Sequence, residues 1–189
     1  MKRLTVLVAL ILAVAAPAMA QPPAAPAPAG AKPVDDALSI AANQKYLDAN
    51  AQQKGWIIRP SGLRFKIIQS GYGKHPTLTD TVKVYYTGTL INHIIFDGTS
   101  PPLPAQFKVN SGLVQGWVEA LQMMREGDRW LLVIPSNLGY GARGGGDGLI
   151  PPNQTLIFDL KLIETTPAPK KGDKDWRPDP NDKDEQQDQ

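Results

Sequence analysis

The chain of 189 residues has no cysteine. That excludes disulfide scaffolds, thiolate metal sites and thiol nucleophiles. Histidine is scarce: His75 and His93 are the two, too few for a histidine-built metal centre or a Ser-His hydrolytic machine. Neither G-x-S-x-G nor H-E-x-x-H occurs. His75 precedes Pro76 and His93 falls between two strand patterns, so both read as loop residues. No pair of carboxylates marks a strand end; Asp80, Asp128 and Asp147 have turn roles open to them. No metal and no cofactor is expected. Long apolar runs are lacking too. The longest, residues 6–16, is shorter than the roughly 20 residues a membrane-spanning helix needs. There is little excess of charge: 20 Lys and Arg face 18 Asp and Glu.

What is present begins with an export signal. Lys2 and Arg3 precede the apolar run, and Ala18-Met19-Ala20 fits an A-x-A cleavage site. Cleavage after Ala20 removes two basic residues and leaves the remainder uncharged overall. A nucleic-acid partner, which wants a basic footprint, is therefore not expected. No cysteine follows the signal to carry a lipid, and in a Gram-negative source the expected compartment is the periplasm. Proline is abundant, 18 residues, about twice average usage. Six prolines lie in the first 33 residues and four follow Thr166, so both ends read as extended. Residues 21–34 form a Pro/Ala linker. Residues 166–189 read as a charged, disordered tail with Trp176 as a solvated aromatic.

Residues 35–54 carry neither proline nor glycine. They predict a helix capped by Asp35 or Asp36 and ended by Gly55. Its apolar stripe is thin: Leu38 and Ala42 on one side, Ile40 and Leu47 on a neighbouring one. Such a helix needs a partner surface, either the following domain or the same helix of a second chain. From Trp56 the period becomes two. Residues 63–68, 82–87, 94–97, 107–109, 129–134 and 155–163 carry strand signals, and turns rather than crossover helices separate them. Leu113, Trp117 and Leu121, with Val114 and Val118 beside them, form one helix capped by Asn110 or Ser111. The expected fold is α+β: a mainly antiparallel sheet of about five strands wrapped on one central helix, over residues 56–165, preceded by the N-terminal helical segment, 35–55.

Residues 139–144 match G-x-G-x-x-G literally. No helix can follow, because Gly145-Gly146-Asp147-Gly148 and then Pro151-Pro152 come next, so the dinucleotide reading fails. A long glycine loop able to fold over a site, with Tyr140 as its large side chain, is the better reading. The informative set is aromatic. Tyr86, Phe96, Trp117, Tyr140 and Phe158 come from three strands, the helix and that loop. Each has a core reading, and for Phe158 and Trp117 taken singly that reading is strong. Together, with one helix to cover a whole sheet face, they predict an apolar small-ligand pocket with Asp97 as an acid at its rim.

At this point the sequence resembles a known family. Val84-Tyr85-Tyr86-Thr87-Gly88, Ile95-Phe96-Asp97, Val114-Gln115-Gly116-Trp117, Gly139-Tyr140-Gly141, Ile150-Pro151-Pro152-Asn153 and Leu156-Ile157-Phe158-Asp159 occur in the order and spacing of FKBP-type peptidyl-prolyl cis-trans isomerases. Tyr46-Leu47-Asp48-Ala49-Asn50 followed by Pro60-Ser61-Gly62-Leu63 is similar to the exported, Mip-like bacterial branch, whose N-terminal helical region often dimerises. The resemblance implies a proline pocket. Trp117 would be its floor, Tyr86, Phe96 and Phe158 its walls, and Leu113, Val114 and Ile150 its sides. Tyr140 would donate its hydroxyl to a substrate carbonyl, the Ile150 segment would pair with the substrate backbone, and Asp97 would sit near Tyr86 at the reacting amide. Asp97, Tyr140 and Tyr86 are thus the catalytic candidates.

Two departures from the family pattern stand out. Ala105 follows Pro104 where an aromatic is common, and no arginine lies between Asp97 and Pro104 to pair with the acid. The implied function is rotation of X-Pro bonds in folding exported proteins, with unfolded or partly folded proline-containing polypeptides as partners and macrolide inhibitors of the family as ligands. A weak homodimer through residues 35–55 is expected, with activity on short peptides that survives removal of residues 21–55. The alternative is a non-catalytic periplasmic chaperone or proline-peptide binding module. Rotation about an amide needs no nucleophile, metal or proton relay, in keeping with what the chain lacks.

Overall fold

The computed structural model describes residues 36–170 and 173–174. The expected signal sequence and Pro/Ala linker, Asp35 and most of the expected charged tail, Trp176 included, lie outside the described residues. No described helix is long and apolar enough to cross a membrane.

Seven strands form one sheet: β1 (Ile57–Ile58), β2 (Arg64–Gln69), β3 (Thr81–Thr89), β4 (Ile95–Gly98), β5 (Ala105–Lys108), β6 (Arg129–Ile134) and β7 (Leu156–Thr166). Every pairing is antiparallel, in the order β1-β2-β6-β7-β3-β4, with β5 also against β3. The α+β class holds, and the expected number of strands is too low. β1 is two residues long and leaves no period to read. β4 and β5 divide one edge of β3, β5 taking residues 81–84 and β4 residues 87–89.

Alternation puts Val82, Val84 and Tyr86 of β3 on the face where Leu156, Phe158, Leu160 and Leu162 of β7 lie, and all are buried. The helix α2 (Gln115–Met123) covers that face with Trp117, Ala120 and Leu121. Fully burying one such leucine contributes about 1.5–3 kcal/mol. Gly116 lets the helix settle on β6: a Cβ there would stand 2.6 Å from the Ile134 side chain. The expected caps of α2 are displaced. Its N-cap is Val114, with no side-chain bond. Asn110 and Ser111 lie in a turn upstream, where Ser111 N–H donates to Lys108 O at 3.1 Å and Gly112 has φ +77°.

The N-terminal helix α1 (Ile40–Ala51) is shorter than the sequence pattern suggested and starts differently. Asp36 belongs to a 3₁₀ turn, Asp36–Leu38. Ser39 is the cap, its hydroxyl accepting from Ala42 N–H at 3.2 Å. Gly55 turns the chain at φ +85°, four residues beyond the helix end. The inward stripe also differs. Asn43 and Asn50 are buried, Tyr46 and Leu47 are half-buried between them, and Ile40 is 68% exposed. Positions 43, 46, 47 and 50 share one face by helical spacing, so the stripe has polar ends and an apolar middle. Asp80 and Asp128 take the turn roles read from sequence: their carboxylates accept from Thr77 N–H at 2.8 Å and Arg125 N–H at 2.7 Å.

Candidate functional site

A cavity of about 190 Å³ opens between α2 and the sheet. β3 delivers Tyr86 to it. β7 delivers Phe158, which pairs across the sheet with Gly88. On the other side Gly88 pairs with Asp97, and the next pair is Thr89 with Ile95. Phe96 is therefore the extra residue of a β-bulge. The bulge brings two consecutive residues, Phe96 and Asp97, to the same cavity. Gly88 is required beneath them: a Cβ there would stand 2.7 Å from the Phe96 ring and 2.8 Å from that of Phe158.

Trp117, 3% exposed, is the floor. The rings meet edge to face. Trp117 lies 5.0 Å from Tyr86 at 89° and 5.2 Å from Phe158 at 77°; Phe96 lies 5.6 Å from Phe158 at 89°. Such pairs contribute about 0.5–1.5 kcal/mol beyond their buried area, and each fixes the orientation of its neighbour. Leu113 and Val114, at the start of α2, line one side.

Polar groups are few and held in place. Tyr86 OH donates to Asp97 Oδ2 at 2.7 Å, and Gly98 N–H donates to Asp97 Oδ1 at 2.8 Å. Burial first, then the bond and charge of Asp97, raise the Tyr86 pKa well above its ordinary value. Burial and the Asp97 charge likewise raise that of Tyr140. Both phenols thus stay protonated and able to donate. Tyr140, 42% exposed, stands on the loop of residues 139–148. This loop is less free than its composition suggested. It folds as two short 3₁₀ turns, Gly141–Arg143 and Gly146–Gly148, closed by reciprocal Gly145–Ile150 backbone bonds of 2.9 and 3.0 Å.

Of the nine residues picked from sequence, Tyr86, Phe96, Asp97, Leu113, Val114, Trp117, Tyr140 and Phe158 line the cavity, and Ile150 does not. Ile150 is buried in the core, and its N–H and C=O are both committed to Gly145. The structure adds Phe107 and Gly112. Phe107 was legible only as a strand residue. It shares a face with Ala105 by the two-residue period, and its ring lies 6.0 Å from Tyr86 and 5.7 Å from Trp117. It supplies an aromatic wall on the strand where Ala105 supplies none. The ion pairs among the described residues are Arg59–Glu119, Lys83–Glu164 and Arg129–Asp159, so none of these engages Asp97. No described cluster of three or more His, Cys, Asp or Glu could hold a metal.

Residues 73–163 match the family profile described as FKBP-type peptidyl-prolyl cis-trans isomerase. The chain is 46% identical over 121 residues to the "FKBP-type 22 kDa peptidyl-prolyl cis-trans isomerase" of Escherichia coli, covering 64% of this chain and 58% of that protein. It is 47% identical over 124 residues to the "Outer membrane protein MIP" of Legionella longbeachae, covering 65% and 52%. The chain thus spans little more than half the length of these curated relatives. The crystal structure of a peptidyl-prolyl cis-trans isomerase from Pseudomonas syringae superposes with a TM-score of 0.63 at 34% identity, covering 68% of this chain and 93% of that one.

Proposed function

The chain belongs to the FKBP-type peptidyl-prolyl cis-trans isomerase family, and on that premise we propose that it rotates X-Pro bonds in proline-containing polypeptides. One observation carries the reading: a cavity walled by edge-to-face rings, with Asp97 and Tyr140 at hand and no Ser, Thr, Cys, Lys or His among its lining residues. Its 190 Å³ is below the roughly 300–1,000 Å³ of sites that bury drug-sized ligands, and suits one small ring.

The amide barrier is about 18–20 kcal/mol, because rotation breaks resonance between nitrogen and carbonyl. The twisted amide separates less charge than the planar one. An apolar aromatic wall therefore favours the twisted form over the ground state, and only that difference accelerates the reaction. About 1.4 kcal/mol of preference gives each tenfold. A proline ring seated on Trp117 leaves its amide among Tyr86, Phe96, Asp97 and Tyr140. The Tyr140 hydroxyl donates to a substrate carbonyl. Asp97 holds the Tyr86 hydroxyl and adds a negative potential. α2 starts without a side-chain cap, so its first-turn N–H groups give Leu113 and Val114 a positive end against which a second carbonyl rests. Ile150 acts through the loop rather than by pairing with substrate.

The partners are unfolded or partly folded chains. Exposed Ile94 and Ile95, beside Phe96, offer such a chain apolar surface. A macrolide of the kind that inhibits the family would place only part of its ring system in the cavity. The signal-like residues 1–20 make this an exported protein, periplasmic in a Gram-negative source. A homodimer through residues 35–55 has only the outward face of α1 left to it.

A protease-coupled proline-peptide assay on the chain lacking residues 1–20, with and without macrolide, tests the reading. Isomerase activity that the macrolide inhibits is expected. A folded chain that binds proline peptides without accelerating exchange would instead be the non-catalytic binding module.

A further inference from the structure

We propose that Asn43, on the N-terminal helix, is a positioning residue for the cavity, setting the Tyr140 loop through residues 150–155. The inference rests on the isomerase reading above. It begins from a buried polar cluster that an independent spacer helix would not need. The Asn43 side chain is 4% exposed. Its two Nδ2 hydrogens are shared among Leu38 O at 3.2 Å, Ser39 O at 3.0 Å and Gln154 Oε1 at 3.1 Å. Its Oδ1 accepts from Thr155 N–H at 2.7 Å. Gln154, 2% exposed, donates from Nε2 to Leu38 O and Pro152 O, each at 2.9 Å. Two carboxamides thus satisfy one another and the backbone around them. A buried network of this kind holds its members to one geometry, because each unmade bond leaves a desolvated polar group.

The far side of the same segment is tied to the site. Asn153, in the left-handed region at φ +62°, donates its N–H to Gly141 O at 2.8 Å, one residue past Tyr140. Ile150 closes the loop against Gly145. Thr155 leads into β7, three residues before Phe158. Residues 150–155 are therefore gripped by α1 on one side, and on the other they hold the loop that presents Tyr140. Without Asn43, the Thr155 N–H loses its acceptor and Gln154 Oε1 its donor. The strained segment relieves this by shifting, and Gly141 and Tyr140 shift with it. Removal of α1 then lowers peptide activity, contrary to the expectation that activity survives it.

The test uses the full chain without residues 1–20, and the variants Asn43→Ala, Gln154→Ala and Ile40→Ala, the last on the exposed face. kcat/KM is measured for each, alone and with Tyr140→Phe, together with amide hydrogen exchange of residues 139–150. Asn43→Ala is expected to lower kcat/KM by about three- to tenfold and to speed exchange of that loop about tenfold, with Ile40→Ala near wild type. In the Tyr140→Phe background the Asn43 effect should nearly vanish. Wild-type activity and exchange in folded Asn43→Ala would overturn the proposal, as would a loss that multiplies undiminished onto Tyr140→Phe. If Asn43→Ala does not fold, Gln154→Ala decides by the same readings, since it leaves the Asn43–Thr155 bond intact. If wild type shows no isomerase activity, the functional reading falls, while loop exchange still decides the coupling.

Discussion

Phe96 and Asp97 are neighbours in sequence, and strict alternation would send them to opposite faces of β4. The bulge against Gly88 brings both to the cavity. No periodicity could show this; only the order of the family motifs placed the two residues together. Phe107 was hidden for a related reason, since a three-residue alternation cannot say whether its inward face meets core or cavity. Tyr86, Trp117 and Phe158 were legible because each sits on a regular period. The roles of these side chains separate by experiment. Phe96 is only partly buried and packs on Phe158 across an open wall. Phe96→Ala should therefore lower kcat/KM at least tenfold while circular dichroism and the melting curve stay close to wild type. Full activity would remove Phe96 from the wall. Phe158 is buried, so its truncation adds a stability loss of about 3–5 kcal/mol. Asp97 accepts from Tyr86 and Gly98, and no ion pair among the described residues engages it. An amide oxygen can still accept from Tyr86, so Asp97→Asn should reduce kcat/KM less than tenfold. A thousandfold loss would show that the charge itself is required.

At the scale of elements, composition misled in two places. Six glycines between Gly139 and Gly148 read as free movement, yet several of them are there for close approach and for left-handed turns. Gly144 has φ +70°, and a Cβ on it would meet Ile150 O and the Pro151 carbonyl carbon. Backbone cannot give way as a flexible side chain does. Gly144→Ala should therefore open the Gly145–Ile150 pairing, displace Tyr140 and lower kcat/KM by about tenfold, with little change in the melting of the sheet. An unaltered kcat/KM would mean that the pairing does not hold Tyr140. The second place is α1. Asparagine counts as a surface residue in any apolar-stripe reading, so Asn43 and Asn50 were not counted, the stripe looked thin, and its partner surface stayed open between the following domain and a second chain. Once those two positions join Tyr46 and Leu47, the face is continuous. Its partner, Gln154, lies 111 residues away, a separation that local pattern cannot bridge.

The whole molecule responds to pH and to concentration in ways the same groups decide. Folding raises the pKa of Tyr86 and Tyr140 above the ordinary phenol value of about 10. The unfolded chain therefore loses these protons first as pH rises, and ∂ΔG/∂pH is negative there. The phenols' contribution is complete below about pH 10 and is lost above it, as pH climbs through the folded values. Urea midpoints should fall more steeply above pH 10 in wild type than in Tyr86→Phe; equal slopes would show that Tyr86 is not held protonated. Concentration tests the last expectation, a homodimer through residues 35–55. The inward face of α1 is engaged by its own domain through Asn43, and Ile40 is the large apolar residue left outside on the helix. A helix of 12 residues is about 18 Å long, and a strip about 10 Å wide along it covers on the order of 200 Å². Stable complexes bury about 800 Å² on each partner. Dimerisation by this face alone should be weak, absent at low micromolar and detectable only at high micromolar concentration, and Ile40→Asp should abolish it. Sedimentation equilibrium decides the matter. A dimer that persists at nanomolar concentration would require a far larger surface than α1 offers, and would place the contact outside residues 36–55.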